Sequence, residues 1–312
     1  MARYSIGVDL GGTNFRAAAI DEHGVLLEKI AGSTNAAAGR DGIVNAIVSA
    51  VVALRTRRVA DELAGTGIAV PGFIIIEEGR VLVSPNLPAL NGFLARDAFQ
   101  ALLKAPVILE NDANAAALGE KWMGAGQGVD DLVLLTLGTG IGGGIISGGQ
   151  VMHGFMGMAA ELGHITVDFN GIPCGCGNTG CLEKHASATA VATMARHLSL
   201  GENLTSEDVY NLAVQGNPDA KRIFESMGRA LGTGLATFIQ TFNFPLYLLS
   251  GGLLAAWDFF APAMFREVEA RSLTFRNTRT KIEKATLGSD AGLYGAACLP
   301  FQLGTMGSKP SA

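Results

Sequence analysis

The chain has 312 residues, 48% of them apolar and 16% charged, with 23 Lys and Arg against 28 Asp and Glu for a net charge of −5. That length suits about two ordinary domains with a sizeable core, which excludes general disorder, and the absence of a basic stripe excludes a nucleic-acid footprint. The 42 glycines, about 13% of the chain and roughly twice the usual ~7%, follow no G-X-Y period and come with only 10 prolines, which excludes collagen and linker composition.

Tyr4 to Asp9 reads as a strand ending at Gly11-Gly12, Arg16 to Ile20 as a second, and Val25 to Ala31 as a third, an antiparallel opening. Asp9 interrupts any apolar run near the N-terminus, so no signal peptide is expected. Gly42 to Ala64 carries helical spacing through Ile43, Ile47, Val51 and Leu54, with Arg55 to Arg58 as a solvated face. Gly67 to Val70 is a buried strand closed by Pro71-Gly72, and residues 73–76 and 81–84 form a hairpin. Val107 to Glu110 is another buried strand, followed by an Ala-rich helix with Asp112 as its expected N-cap. Leu132 to Leu137, the glycines of 138–144 and Ile145-Ile146 read as strand, turn and strand. Helices are expected at Thr179 to Leu198 and Ala220 to Thr241, and a strand at Leu246 to Leu249 before Ser250-Gly251-Gly252. The apolar stretch Phe242 to Trp257 is broken by Pro245 and Gly251-Gly252, short of the ~20 residues a membrane span needs, so a cytoplasmic protein is expected. The last strand and helix signals lie at Lys281 to Leu287 and Ala291 to Leu299, with Gly304 to Ala312 as a frayed tail. Ile6 to Ala19 and Leu132 to Ile146 repeat the strand, glycine turn, strand pattern, which suggests two related α/β domains facing each other across a cleft.

The two turns carry the first chemical signal. Asp9-Leu10-Gly11-Gly12-Thr13-Asn14 is, by itself, equally a plain hairpin turn. It can also be a phosphate cradle: paired glycines let backbone N–H groups converge on an anion, Thr13 offers a hydroxyl, and Asp9 can reach a hydrated Mg²⁺. Gly138, Gly140 and Gly143 satisfy G-x-G-x-x-G, but a strand follows where the dinucleotide fingerprint needs a helix, and no Walker lysine is present. Two such cradles would grip a polyphosphate from both sides.

His164, Cys174, Cys176 and Cys181 form a Cys₃His set, and four protein ligands leave no open position, so a structural zinc is expected. Glycines 175, 177 and 180 supply the tight turns between them. The clip would hold Glu161 and Glu183, whose carboxylates suit a polyol. Cys298, in an apolar run, reads as a buried small hydrophobe. Asp112 has two readings, helix cap and base toward a hydroxyl; its neighbour Asn111 favours the second. With an ordinary pKa of ~3.9 it would be a weak base, tolerable when proton transfer is late in a loose phosphoryl-transfer transition state.

These segments together resemble the ROK family (repressors, open reading frames and sugar kinases). The resemblance rests on Asp9-x-Gly-Gly-Thr-Asn, Val70-Pro71-Gly72, Glu110-Asn111-Asp112-Ala113-Asn114, the 138–144 turn, Glu161-Leu162-Gly163-His164, the segment from Cys174 to Glu183, and Ser250-Gly251-Gly252. It implies an actin-like ATPase (ribonuclease H-like) fold: a small N-terminal α/β domain over 1–110, completed by a helix at about 290–303, and a large α/β domain with the zinc loop over 111–289. Asp112 is then the base, with Gly72, Asn111, Glu161, His164 and Glu183 contacting the sugar. Asp9, Gly11, Gly12, Thr13, Asn14, Gly138, Thr139, Gly140, Gly142, Gly251 and Gly252 would serve ATP and Mg²⁺, and His164 both zinc and sugar. The implied activity is ATP-dependent phosphorylation of a hexose at its 6-hydroxyl. The chain looks most like the glucose kinases of the family, with N-acetylmannosamine, N-acetylglucosamine or fructose as alternative acceptors and a non-catalytic sugar sensor as a further one. Relatives are commonly dimers or tetramers. A family repressor would carry a helix-turn-helix before the first cradle, and the short stretch before Asp9 argues against that role. The chain departs from the family pattern at Ala160, where glycine is usual, and at His185, where tyrosine often precedes Ala-Ser; both bear on substrate choice. On this reading the glycine excess marks the active site, while Gly232 and Gly234, mid-helix, have no ligand to serve.

Overall fold

The computed structural model describes residues 3–306, with side chains through residue 302. In chain order its elements are β1 (Arg3–Leu10), β2 (Asn14–Asp21), β3 (Leu26–Ser33), α1 (Gly39–Thr56), β4 (Glu62–Val70), β5 (Phe73–Ile75), β6 (Arg80–Val83), α2 (Ala95–Leu103), β7 (Val107–Asn111) and α3 (Asp112–Met123). Then come β8 (Leu132–Leu137), β9 (Ile141–Ser147), β10 (Gln150–Val151), α4 (Glu183–Ala186), α5 (Ala188–His197), α6 (Ser206–Val214) and α7 (Pro218–Phe242). The chain continues through β11 (Leu246–Ser250), α8 (Trp257–Arg271), α9 (Leu273–Asn277), β12 (Lys281–Lys284) and α10 (Ala291–Met306).

Two compact units result. The first contains the chain up to Asp130, Gly144–Ala159 and the segment from Thr286 onward. Its sheet runs β3-β2-β1-β4-β7, antiparallel across β1, β2 and β3 and parallel from β1 through β4 to β7. The parallel step needs a crossover, and α1 supplies it: Ile43, Ile47, Val51 and Leu54 repeat at helical spacing and pack into the core with Ile6, Val8 and Ile68. By length and composition Ala36–Thr56 could cross a membrane, but this apolar stripe is the inner face of a core helix. The helix expected to run to Ala64 stops at Thr56. Its apolar repeat ends at Leu54, an Arg58–Asp61 ion pair of 3.6 Å closes the turn, and Glu62 and Leu63 already pair with Arg3 and Tyr4 in the sheet.

Against this sheet lies α10, and glycine makes the approach possible. A Cβ at Gly67 would overlap the Ala296 carbonyl, and one at Gly295 would overlap the Ala115 carbonyl of α3. With α10 drawn onto both β4 and α3, the structure keeps α3 in the first unit, where the sequence places a domain boundary near residue 110. Gly304–Met306, expected to fray, continue α10, and residues 307–312 lie outside the described residues.

The second unit comprises Asp131–Gly143 and Ala160–Ala285. Its strands β8, β11 and β12 run parallel, with β11 between the other two. The single helix expected over Thr179 to Leu198 is two, because Ser187 leaves the helical conformation and caps α5 by accepting from the Ala190 N–H at 3.1 Å. The sequence reading also passed over α8, whose helical pattern is obscured by Pro262. Gly228 and Gly232, one turn apart on α7, sit against the carbonyls of Phe260 and Met264 on α8, and Gly234 sits against Leu182. These glycines, like Gly67 and Gly295, serve close packing. Packing therefore accounts for part of the excess that the sequence reading gave to the active site.

Substituting Gly232→Ala places a methyl group 2.5 Å from the Met264 carbonyl oxygen. The expected loss is about 1–3 kcal/mol of stability, read by urea unfolding, because two packed backbones must separate.

Candidate active site

In the first unit the β1–β2 turn brings Gly11, Gly12, Thr13 and Asn14 together, closed by the Gly11 N–H donating to the Asn14 carbonyl at 2.9 Å. Thr13 and Asn14 are exposed and Gly11 and Gly12 half-buried, as an anion cradle requires. The antiparallel register sets Asp9 directly opposite Arg16, and the two form an ion pair. Arg16 also reaches Asp290 at 3.3 Å, and Lys29 meets Asp290 at 2.6 Å. Burial raises the Asp9 pKa despite the Arg16 guanidinium, so its carboxylate is one that a further cation would stabilise. Arg16, Lys29 and Asp290 were not singled out from sequence. Arg16 was legible from the short turn, which sets it opposite Asp9; Asp290 arrives from the far end of the chain.

At the end of β7 the structure corrects the expected cap. Asn111, not Asp112, is the N-cap of α3: its Oδ1 accepts from the Ala113 and Asn114 N–H groups at 2.9 and 3.1 Å. Its Nδ2 donates to the Gly72 carbonyl at 3.1 Å, and Gly72 has φ +114°, a conformation open to glycine. Asp112, the first helical residue, accepts the adjacent Ala113 N–H at 2.9 Å, with further hydrogen bonds from its own backbone and the Asn111 side chain. Burial pushes its pKa up to about 6, with the neighbouring Asp9 charge adding to the rise and the backbone donor opposing it. The expectation of an ordinary, weakly basic aspartate is thus overturned. A carboxylate with a pKa near 6 is ionised at neutral pH and is a better proton acceptor than one near 3.9.

In the second unit the glycine turn after β8 is tied to the zinc segment. Glu183 Oε2 accepts the Ile141 N–H at 2.9 Å and occupies the space a side chain at Gly140 would need. Gly142 N–H donates to Thr136 Oγ1 at 3.2 Å, and the Thr139 carbonyl accepts from Thr189 Oγ1 at 2.7 Å. Gly138 and Gly252 differ from these: a Cβ at either would meet nothing within 4 Å, and neither has a positive φ. Nothing in the fold demands glycine there, so both fit a cradle kept open for a ligand. Gly251 has φ +101° and lies against the Leu137 backbone. A cavity of about 280 Å³ lies over Thr139, Gly140, Glu183 and Lys184. Another, of about 380 Å³, adjoins Gly252 and is lined by Ser206, Glu207, Tyr210 and Asn211 of α6, none of which carried a sequence signal.

The four zinc-candidate side chains converge, their ligand atoms all within 4.8 Å of one another. Cys174 Sγ to His164 Nδ1 and Cys176 Sγ to Cys181 Sγ are each 3.6 Å. Metal bonds of about 2.3 Å to sulfur and 2.0–2.1 Å to nitrogen place tetrahedral ligand atoms about 3.5–3.8 Å apart, so the set fits zinc. His164 presents Nδ1 to the sulfurs and turns Nε2 toward Glu161 Oε2 at 3.9 Å. The Glu161 pKa is raised by burial and by the Glu183 charge. Ala160, just before it, has φ +69°, which costs an alanine about 1–2 kcal/mol relative to the right-handed region. Its departure from glycine therefore shows as backbone strain beside Glu161. His185 packs against Gly171 and Asp168 in the zinc segment, and burial lowers its pKa.

The profile of the ROK family matches residues 5–302. A glucokinase from Halalkalibacterium halodurans is 36% identical over 316 residues, covering 96% of each chain. The ROK hexokinase from Thermus thermophilus aligns with a TM-score of 0.87 at 31% identity, covering 97% of this chain and 99% of that one. A ROK glucokinase from Streptomyces griseus, solved with glucose and AMPPNP, aligns with a TM-score of 0.79 at 34% identity, covering 96% and 99%. These alignments establish the actin-like ATPase fold, with two α/β units.

Two measurements test the site as it stands. An aspartate whose folded pKa is raised to about 6 is stabilising in its protonated form. That contribution is complete below its unfolded value of ~3.9 and is lost as pH rises through about 6. Asp112→Asn is therefore expected to raise stability at pH 8 by on the order of 3 kcal/mol, with the gain vanishing near pH 4 in urea titrations. Elemental analysis is expected to find one zinc per chain, and Cys176→Ser or a strong chelator to lower the melting temperature and release the metal.

Proposed function

The chain belongs to the ROK family, and from that membership and the geometry of its two glycine turns we propose that it transfers the γ-phosphoryl group of ATP to the 6-hydroxyl of glucose. The observation that carries this reading is Asp112: a half-buried carboxylate at the start of α3, released from capping by Asn111 and raised to about 6. In the proposed reaction Asp112 accepts the hydroxyl proton as the sugar oxygen bonds to the γ-phosphorus. The bond from that phosphorus to the bridging oxygen breaks, and ADP leaves with its electron pair. The helix terminus aims the carboxylate, and proton acceptance by such a group is worth about 10²–10⁴-fold in rate.

The other roles belong to the same proposal. Gly72, Asn111, Glu161, His164 and Glu183 contact the sugar, and carboxylates suit it because each accepts several hydroxyl hydrogen bonds. Gly11, Gly12, Thr13 and Asn14 on one turn, and Gly138, Thr139, Gly140 and Gly142 on the other, donate to the phosphates, while Gly251 and Gly252 leave room for the nucleoside. Asp9 would hold hydrated Mg²⁺, which neutralises phosphate charge when bound. His164, Cys174, Cys176 and Cys181 would hold zinc, which keeps Glu161 and Glu183 in place. A cytoplasmic dimer or tetramer completes the proposal, with sedimentation velocity as the check on assembly.

The test is ADP release over a panel of hexoses. Glucose is expected to be the preferred acceptor; preference for an N-acetyl hexose or fructose would move the assignment within the family, and no turnover on any hexose would sink it. Asp112→Asn is expected to cut kcat by at least 100-fold while leaving glucose binding within about tenfold, and wild-type turnover to fall as pH drops through about 6. Retained turnover in Asp112→Asn would reduce this residue to a structural role.

A further inference from the structure

Strand β7 is apolar up to Glu110 and Asn111 at its end, and Glu110 is buried at 2% exposure. A buried carboxylate needs donors at both oxygens, since an uncompensated one costs several kcal/mol. Its Oε1 accepts the Asn111 N–H at 2.9 Å and Asn114 Nδ2 at 3.1 Å. Its Oε2 is met by His153 Nε2 at 2.7 Å. His153 comes from the segment after β10 and is itself held on both sides. The neighbouring Met152 N–H donates to the Ile145 carbonyl at 2.8 Å, and the Ala159 N–H donates to the His153 carbonyl at 3.0 Å. Gly154, Met156 and Gly157 all have positive φ between these ties. Neither Glu110 nor His153 has a part in the chemistry above.

We propose that His153 is a positioning residue for phosphoryl transfer: through Glu110 it fixes the Asn111–Asp112 peptide and the first turn of α3. The reasoning follows the two carboxylate oxygens. Asn111 and Asn114 occupy Oε1 alone, so loss of His153 strips Oε2 of its partner. Glu110 must then rotate or take up a proton, and either change loosens its hold on the Asn111 N–H. Asn111 spans Gly72 and the α3 terminus with its side chain, so a shift there displaces Asp112. Glu110 is also the charged group that faces His153 among the described residues, and it raises the imidazole pKa, as a direct pair should. The role as a positioning residue rests on the reading of Asp112 as the base.

The experiment compares His153→Ala, His153→Gln and wild type in the full chain, by steady-state kinetics and by hydrogen exchange at the Asn111 amide. His153→Ala is expected to lower kcat at least tenfold, with the KM for ATP within twofold and zinc content unchanged. His153→Gln keeps a donor for Oε2 and is expected to recover kcat to within about threefold. The Asn111 amide is expected to exchange at least tenfold faster in His153→Ala than in wild type. A His153→Ala enzyme that loses melting temperature but keeps kcat, or whose Asn111 exchange is unchanged, would overturn the proposal. Should wild type turn over no hexose, the functional reading fails by itself, and the exchange measurement still decides whether His153 holds the Asn111–Asp112 peptide.

Discussion

The first unit depends on how closely α10 can approach its neighbours. Its backbone meets β1, β4 and α3 at points where Gly7, Gly67, Gly119 and Gly295 leave no Cβ to intervene. One helix thereby joins the strand that carries Asp9 near its end to the helix that begins with Asp112. Gly292, in the first turn of α10, lies directly against the Asp9 carboxylate, so the same contact that packs the core also limits the space around a functional group. A side chain at any of these crossings would separate two backbones, and the two aspartates would lose their common frame.

Those aspartates are both half-buried and both raised, yet they differ in what surrounds them. Asp9 has an arginine for a partner, itself shared with Asp290 and, through it, with Lys29. Asp112 has a backbone N–H and a repulsive neighbour in Asp9. The first is suited to holding charge and the second to exchanging a proton. The cost is stability: an ionised Asp112 at neutral pH opposes folding, and the surrounding hydrogen bonds of Asn111, Gly72 and Glu110 carry that strain.

The second unit organises its acceptors differently. It has a short, irregular segment on which four ligand side chains converge, and Glu183, just beyond it, binds the glycine turn after β8. A carboxylate that suits a polyol is therefore also a strut of the turn that suits a phosphate. Removing it would disturb the turn, so a Glu183 variant would not isolate the proposed sugar contact.

Local chemistry was legible in the sequence wherever it depends on spacing. Both glycine turns, the Cys₃His set, the strands around them and the importance of Asn111-Asp112 follow from residue types a few positions apart, because turn geometry and metal ligation are short-range constraints. Spacing could not show which of Asn111 and Asp112 caps α3, since both are good caps and the choice depends on the Gly72 carbonyl 39 residues away. Nor could it show the raised pKa of Asp112, which is a property of burial, or the pairing of Glu110 with His153 across 43 residues. Gly232 and Gly234 looked idle on α7 until Met264 of α8 and Leu182 lay against them. The sequence by itself determined which groups were available for phosphate, metal and proton. Only the tertiary structure decided which carboxylate is held, which is left basic and what keeps it in place, because those depend on desolvation and on partners that the chain brings together from a distance.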